Sequence, residues 1–266
     1  HLTSQIPSNS SYTNLTILFI ITDFPSIVSG HQIAFLDPQE LYFGNEETGR
    51  RFDLRDVATR HKYRDQFAPY ENVYDCKMSS GFYGGTLFRF PLRKWPSRLS
   101  SKSYTTTKVK ALFEAFIEEA RLILLFLKNI DTIGIYETSW NDKEKNIFSV
   151  CIKESLKASI RDIKQKFIQM ALRPYCPPYE MSYEVEIEEF RTGVYKQEHK
   201  FMITNRAGSE SKRLMELASI LHHLPWVGVA TPLDFNSAKV DFGKGRVFCY
   251  LPLPPFVDGN THHPPF

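Results

Sequence analysis

Two pairs of neighbouring carboxylates, Glu118-Glu119 and Glu188-Glu189, are the first residues in this chain whose spacing could support acid–base chemistry. Such a pair becomes catalytic only when a nucleophile, a proton acceptor or a substrate cleft stands beside it. The first pair falls on the polar side of a helical pattern and the second on a strand, and no Ser, His or Cys lies at a spacing that completes a catalytic group. Both pairs read as solvent-facing. His222-His223 closes a helical segment, where a cationic side chain suits the negative end of the dipole, and His262-His263 sits in a proline-rich tail. Neither has a third ligand at metal spacing, so no metal site is expected. Cys76, Cys151, Cys176 and Cys249 contain no Cys-x-x-Cys pair and read as reduced, mostly buried thiols. A Gly-x-Ser-x-Gly elbow and a phosphate-binding Gly-Lys-Ser/Thr loop are both absent, so no catalytic residue is assigned. One glycine cluster remains, Gly81-Phe82-Tyr83-Gly84-Gly85-Thr86. Adjacent glycines let a backbone come close to a ligand, and the Thr86 hydroxyl can donate or accept, although glycines before a strand more often relieve a tight bend.

The elements that must position these residues follow from periodicity. Residues 15–23 and 26–36 are apolar and β-branched with turn signals at Pro25, Gly30 and Asp37-Pro38, which predicts two adjacent strands. Residues 37–53 read as a hairpin or ordered loop, residues 55–70 as a charged, solvated connector, and residues 87–92 as a strand entered through the glycines. Val109, Leu112, Phe113, Phe116, Ala120, Leu124 and Leu127 recur at spacings of three and four, predicting a helix with Lys110, Glu114, Glu118 and Arg121 in water. A hairpin over 132–138 and 146–152 follows, with turn chemistry at 140–143. A second helix carries Leu156, Ile160, Ile163, Phe167 and Ala171 and is stopped by Pro174, Pro177 and Pro178. The remainder reads as strands over 181–190 and 198–205, a helix over 210–221, and strands over 226–232 and 246–251. Val185 and Ile187 face inward, with Glu184, Glu186 and Glu188 outward.

The 266 residues, 42% of them hydrophobic, can bury a substantial core, and 21 Phe and 13 Tyr against 13 Gly describe an aromatic interior. A formal charge of +3 from 33 basic and 30 acidic residues disfavours a nucleic-acid partner. The apolar run at 15–21 is far shorter than the roughly 20 residues that span a bilayer, so no membrane partner is expected. Residues 1–13 lack the basic start of a signal peptide, which predicts an intracellular, cytoplasmic chain. Beginning at His1 with an aperiodic Ser/Thr/Asn-rich stretch, the sequence reads as a piece of a longer protein.

The order Ile21-Thr22-Asp23-Phe24-Pro25-Ser26-Ile27-Val28-Ser29-Gly30, Leu36-Asp37-Pro38, Asp65-Gln66-Phe67-Ala68-Pro69, Gly85-Thr86-Leu87-Phe88-Arg89-Phe90-Pro91-Leu92-Arg93 and Phe248-Cys249-Tyr250-Leu251-Pro252-Leu253-Pro254-Pro255 closely resembles the repeat region of the sacsin family, over about residues 21–255. The resemblance implies an α+β fold. Residues 1–20 would be a divergent or disordered segment and 21–152 the C-terminal half of an α/β sandwich of the Bergerat type. That sandwich is shared by gyrase, the ninety-kilodalton heat-shock chaperone, histidine kinases and mismatch-repair ATPases, and residues 153–266 would form a middle-like α/β segment. It also implies a co-chaperone role in protein folding and quality control, with client proteins and the seventy-kilodalton heat-shock system as partners. In that class an acidic residue, a magnesium-binding Asn, an adenine-binding Asp and lid glycines build the ATP pocket, and all would precede Ile21. Gly85 and Thr86 match the family's Gly-Thr pair near adenine, and Asp23 matches a position just after the lid glycines. ATP is therefore expected only in a complete protein, with no cofactor and no hydrolysis for this chain. The alternative implied is a fragment of an active ATPase whose catalytic residues lie upstream. The same reading leaves the apolar faces of Phe88, Phe90 and residues 112–116 partly uncovered.

Overall fold

Gly30 adopts φ 57° and the chain reverses at His31, so residues 26–36 form a tight hairpin of β1 (Ser26–Gly30) and β2 (Gln32–Leu36), and not one strand. The computed structural model describes residues 19, 21–44, 47–138, 144–171, 177–194, 196–220, 226–233, 248–249 and 251–252. These fall into two compact units, His1–Ala111 and Leu112–Phe266. The four-stranded, five-stranded and two-stranded sheets of the described residues are all antiparallel, so the fold is α+β.

In the first unit β3 (Gly49–Asp53) and β4 (Tyr83–Arg89) complete a sheet of order β3-β2-β1-β4. One face carries Val28, Ile33 and Phe35, packed with Leu54, Phe67, Tyr70, Cys76 and Met78. Residues 55–70 are not a solvated connector. They form α1 (Val57–Lys62), α2 (Arg64–Phe67) and a 3-10 turn (Ala68–Tyr70), because Tyr63, Phe67 and Tyr70 lie four and three apart and turn one stripe onto the sheet. The Phe67 ring stacks on Phe35 with centroids 6.3 Å apart, and the Tyr70 hydroxyl donates to Ser26 Oγ at 2.7 Å. Of the expected strand over 15–23, residues 21–23 are irregular, and the rest lies outside the described residues apart from Phe19.

The second unit is built on β5 (Thr132–Glu137), β6 (Lys145–Ile152), β7 (Tyr179–Arg191), β8 (Gln197–Ala207) and β9 (Trp226–Pro232), hydrogen-bonded in chain order. This sheet runs continuously through Ile152, since β6 pairs with β7 by Ile152↔Ile187. Two helices, α3 (Thr106–Phe126) and α4 (Glu154–Ala171), supply Ile117, Ala120, Leu124, Leu125 and Ile160 to one core with Phe148, Val150, Val185, Ile187, Phe201 and Ile203. The Thr105 hydroxyl accepts from Lys108 N at 3.3 Å and caps α3 at its start. Val185 and Ile187 are buried while Glu184 is exposed, as alternation predicts. The next helix, α5 (Lys212–Ile220), leaves Leu214, Leu217 and Ile220 exposed.

The apolar stripe of α3 has the predicted period, yet only its C-terminal half is buried. Leu112, Phe113 and Phe116 are 54%, 48% and 36% exposed, and Phe88 is 52% exposed, which matches the uncovered apolar faces anticipated at these positions. The strand expected over 246–251 is described only as β10 (Phe248–Cys249) and β11 (Leu251–Pro252). The turn at 140–143, His222-His223, His262-His263 and the tail lie outside the described residues.

Candidate functional site

Gly85 and Thr86 lie inside β4, at an edge of the sheet, and not in a loop ahead of it. Pairing with β1 runs through Ser29↔Thr86 and then jumps to Gly30↔Tyr83, so Gly84 and Gly85 form the extra residues of a bulge. The local reason for glycine at 85 is crowding. A Cβ there would stand 2.9 Å from the Tyr83 ring, which belongs to the aromatic core beneath the sheet.

Thr86 faces out. Its hydroxyl lies 3.0 Å from Ser29 Oγ, which in turn donates to the Gly85 carbonyl at 3.1 Å. Each hydroxyl has a single proton, so Thr86 donates to Ser29 and keeps lone pairs free. The open chemistry at Thr86 is that of an acceptor, suited to an amino or amide donor. Asp23 is engaged elsewhere: it takes the Arg93 guanidinium at 2.8 Å and the Ser97 hydroxyl at 2.7 Å.

A second polar cluster was not foreseen. Arg121 and Glu189, both read as solvent-facing, are mostly buried in the second unit, with side chains 17% and 15% exposed. Arg121 NH1 stands 3.3 Å from His199 Nε2 and 3.6 Å from Glu189 Oε2. His199, and after it Arg121, hold the Glu189 carboxyl below the usual carboxylate range, against the opposing effect of burial. A lowered folded-state value means this carboxylate stabilises above the ordinary glutamate range and ceases to do so as pH falls through its folded value. Glu189→Gln is therefore expected to cost about 1–3 kcal/mol at neutral pH and progressively less in acid, read from urea midpoints at both pH values. Beside it a cleft of about 200 Å³ is lined by Ile117, Glu118, Arg121, Glu189, Arg191 and Val194. Arg191 bridges Glu114 at 2.9 Å and Glu118 at 3.1 Å, so the cleft's charges are largely balanced within it. Among the described residues no group of three or more His, Cys, Asp or Glu could hold a metal ion, and no helix is long and apolar enough to cross a membrane. Cys76 and Cys151 are free thiols, and burial pushes both up from the ordinary thiol value.

Residues 15–149 match the family described as Sacsin domain, a span that includes Ser29, Gly85, Thr86, Asp23 and Arg93. The chain belongs to the sacsin family. It is also 34% identical to human sacsin over 270 residues, covering 93% of this chain and 6% of that protein. The sacsin domain match thus takes in the whole four-stranded sheet together with α3, β5 and most of β6.

Proposed function

We propose that this chain is a sacsin-like co-chaperone module that holds client polypeptides in protein folding and quality control and does not itself hydrolyse ATP. The observation that carries this reading is a sacsin-family chain with large side chains left uncovered. Phe82 and Phe88 on the first unit, and Leu112 and Phe113 on the second, are each about half exposed. On each unit separately, such side chains offer apolar surface to another polypeptide. The reading includes a Bergerat-type half-sandwich, a cytoplasmic location and cooperation with the seventy-kilodalton heat-shock system.

Catalysis of phosphoryl transfer rests on positioning a water, a base and a metal. At Thr86 the described hydrogen-bond partner is the Ser29 hydroxyl, and neither group can serve as a base at neutral pH. Phosphate release by the purified chain is expected to equal that of Thr86→Ala, and release above that control would overturn the non-hydrolysing reading. Suppression of aggregation of a thermally unfolded test client is expected from the parent chain. It should be reduced in Phe88→Ser/Phe113→Ser, and equal suppression by both proteins would remove the client-holding role.

A second reading, part of an ATP-binding ATPase, is favoured by the acceptor capacity left at Thr86, which suits the amino group of adenine. Under it ATP is the cofactor only of a longer protein. Binding of a fluorescent adenine nucleotide by a longer natural chain, lost in Thr86→Val, would support it.

A further inference from the structure

From Cys76 to Phe113 the sequence contains eight Lys or Arg and no Asp or Glu, while the whole chain carries a net charge of only +3. The remainder is therefore net acidic, and the positive charge is concentrated in one stretch. Its centre is a closed loop over residues 93–104. Tyr104 N donates to the Arg93 carbonyl at 2.8 Å and joins the two ends. The Arg93 side chain, fully buried, ties the base to Asp23 and to the carbonyls of Phe19, Thr22 and Lys102. Ser97 fixes the middle: its hydroxyl donates to Asp23, and its amide to the Ser100 carbonyl at 3.0 Å. Compact loops of this size with joined ends are held by their own contacts and frequently serve binding.

What this rigid base presents is Trp95, 78% exposed, the highest value among the exposed large hydrophobic side chains of the described residues. Lys94, Arg98 and Lys102 surround it in sequence, all exposed, and among the described residues none of the three forms an ion pair within the chain. Among the described residues nothing rewards the exposed indole, and neighbouring cations repel one another. A partner that buries the ring and neutralises the charges would relieve both costs, and a preordered loop loses little entropy on binding.

We propose that this loop is a docking element for a short acidic segment of a partner protein, in which Trp95 covers an apolar side chain and Lys94, Arg98 and Lys102 meet flanking carboxylates. Charge complementarity selects the acid, and the clustering of Lys94, Arg98 and Lys102 around one exposed ring, in a chain whose remainder outside 76–113 is net acidic, selects a short segment. An extended polyanion, such as RNA or an anionic bilayer, would also meet the acidic remainder. The surface goes beyond the client-holding reading and does not depend on it.

The test is fluorescence anisotropy of a dye-labelled synthetic peptide of glutamates around a central leucine, titrated with the full chain. Labelled oligouridylate and phosphatidylserine vesicles serve as parallel arms. Saturable peptide binding that weakens with salt is expected. Affinity should fall about tenfold or more in Trp95→Ala and in the triple variant Lys94→Glu/Arg98→Glu/Lys102→Glu, with urea midpoints unchanged because all four side chains are exposed. Equal peptide binding by parent and both variants would overturn the proposal, as would absence of peptide binding, or binding of only RNA or only vesicles.

Discussion

Arg93→Met is expected to lower the stability of the first unit by about 3 kcal/mol, read as a drop in urea midpoint with unchanged slope. The arginine side chain is fully buried, and its Asp23 partner is 23% exposed. Methionine fills most of the volume but donates nothing. The carbonyls of Phe19 and Thr22, which accept from Arg93 NH2 at 2.6 and 3.1 Å, would be left without that donor, and Asp23 would keep only Ser97. Removing one partner of a buried pair costs about 3–5 kcal/mol, and the solvent that still reaches Asp23 places this case at the lower end. Asp23→Asn should cost less, because an amide oxygen still accepts from Arg93 and Ser97 while Arg93 keeps its carbonyls. If Arg93→Met were tolerated within about 0.5 kcal/mol, the range of ordinary surface substitutions, the cluster would not be what holds the loop over 93–104.

Arg93 also shows where sequence reasoning stopped. Its neighbours Arg89, Lys94 and Arg98 are the same type of residue on the same stretch, and composition alone treats all of them as solvated. Burial of one follows from tertiary closure: Arg93 N donates to the Ile21 carbonyl at 2.9 Å, which brings Asp23 within reach. Pattern reading did better where one period governs. β6 through β9 and α3 through α5 lie within a few residues of their expected positions, because alternation of two and spacing of three and four are local properties.

Glu189 is the instructive failure of that reading. Its charge gives it a solvent-facing reading with Glu188, although it stands at the same parity in β7 as Val185 and Ile187 and alternation points it inward. His199 and Arg121 supply the partners that make an inward carboxylate affordable. Residues 55–70 failed for the same reason, since abundant charge concealed the Tyr63, Phe67 and Tyr70 stripe. The candidate site was legible as two residues, Gly85 and Thr86. The bulge, the Ser29 partner and the Tyr83 ring beneath it depend on strand register, which a single sequence leaves open.

Asp37 shows how an ordered loop is made without secondary structure. It is 1% exposed, and its carboxylate accepts from the amides of Leu41, Tyr42 and Phe43 at 3.1, 2.6 and 3.1 Å. Those bonds fold residues 37–43 so that Phe24 packs on Tyr42 and Phe43, with centroids 4.4 and 5.7 Å away. Leu41 and Tyr42 nevertheless remain about two-thirds exposed. The same bonds that order the loop therefore hold two large apolar side chains at the surface of the first unit.

The second large effect is expected from Phe148→Ala, a loss of about 3–5 kcal/mol in the second unit, against about 1 kcal/mol for Phe190→Ala. The two phenylalanines sit on adjacent strands, one position out of phase: Phe148 pairs with Arg191, and Phe190 with Ser149. Their side chains consequently stand on opposite faces. Phe148 is fully buried among the residues that α3, α4 and β6 through β8 bring together, and truncation there leaves a cavity that rigid neighbours on a sheet cannot close. Phe190 is 39% exposed and leaves no enclosed space behind it. Phe148→Leu should recover most of the loss, since it keeps apolar volume in the same slot. Guanidinium titrations of the four chains test the ordering, and equal losses for Phe148→Ala and Phe190→Ala would overturn it.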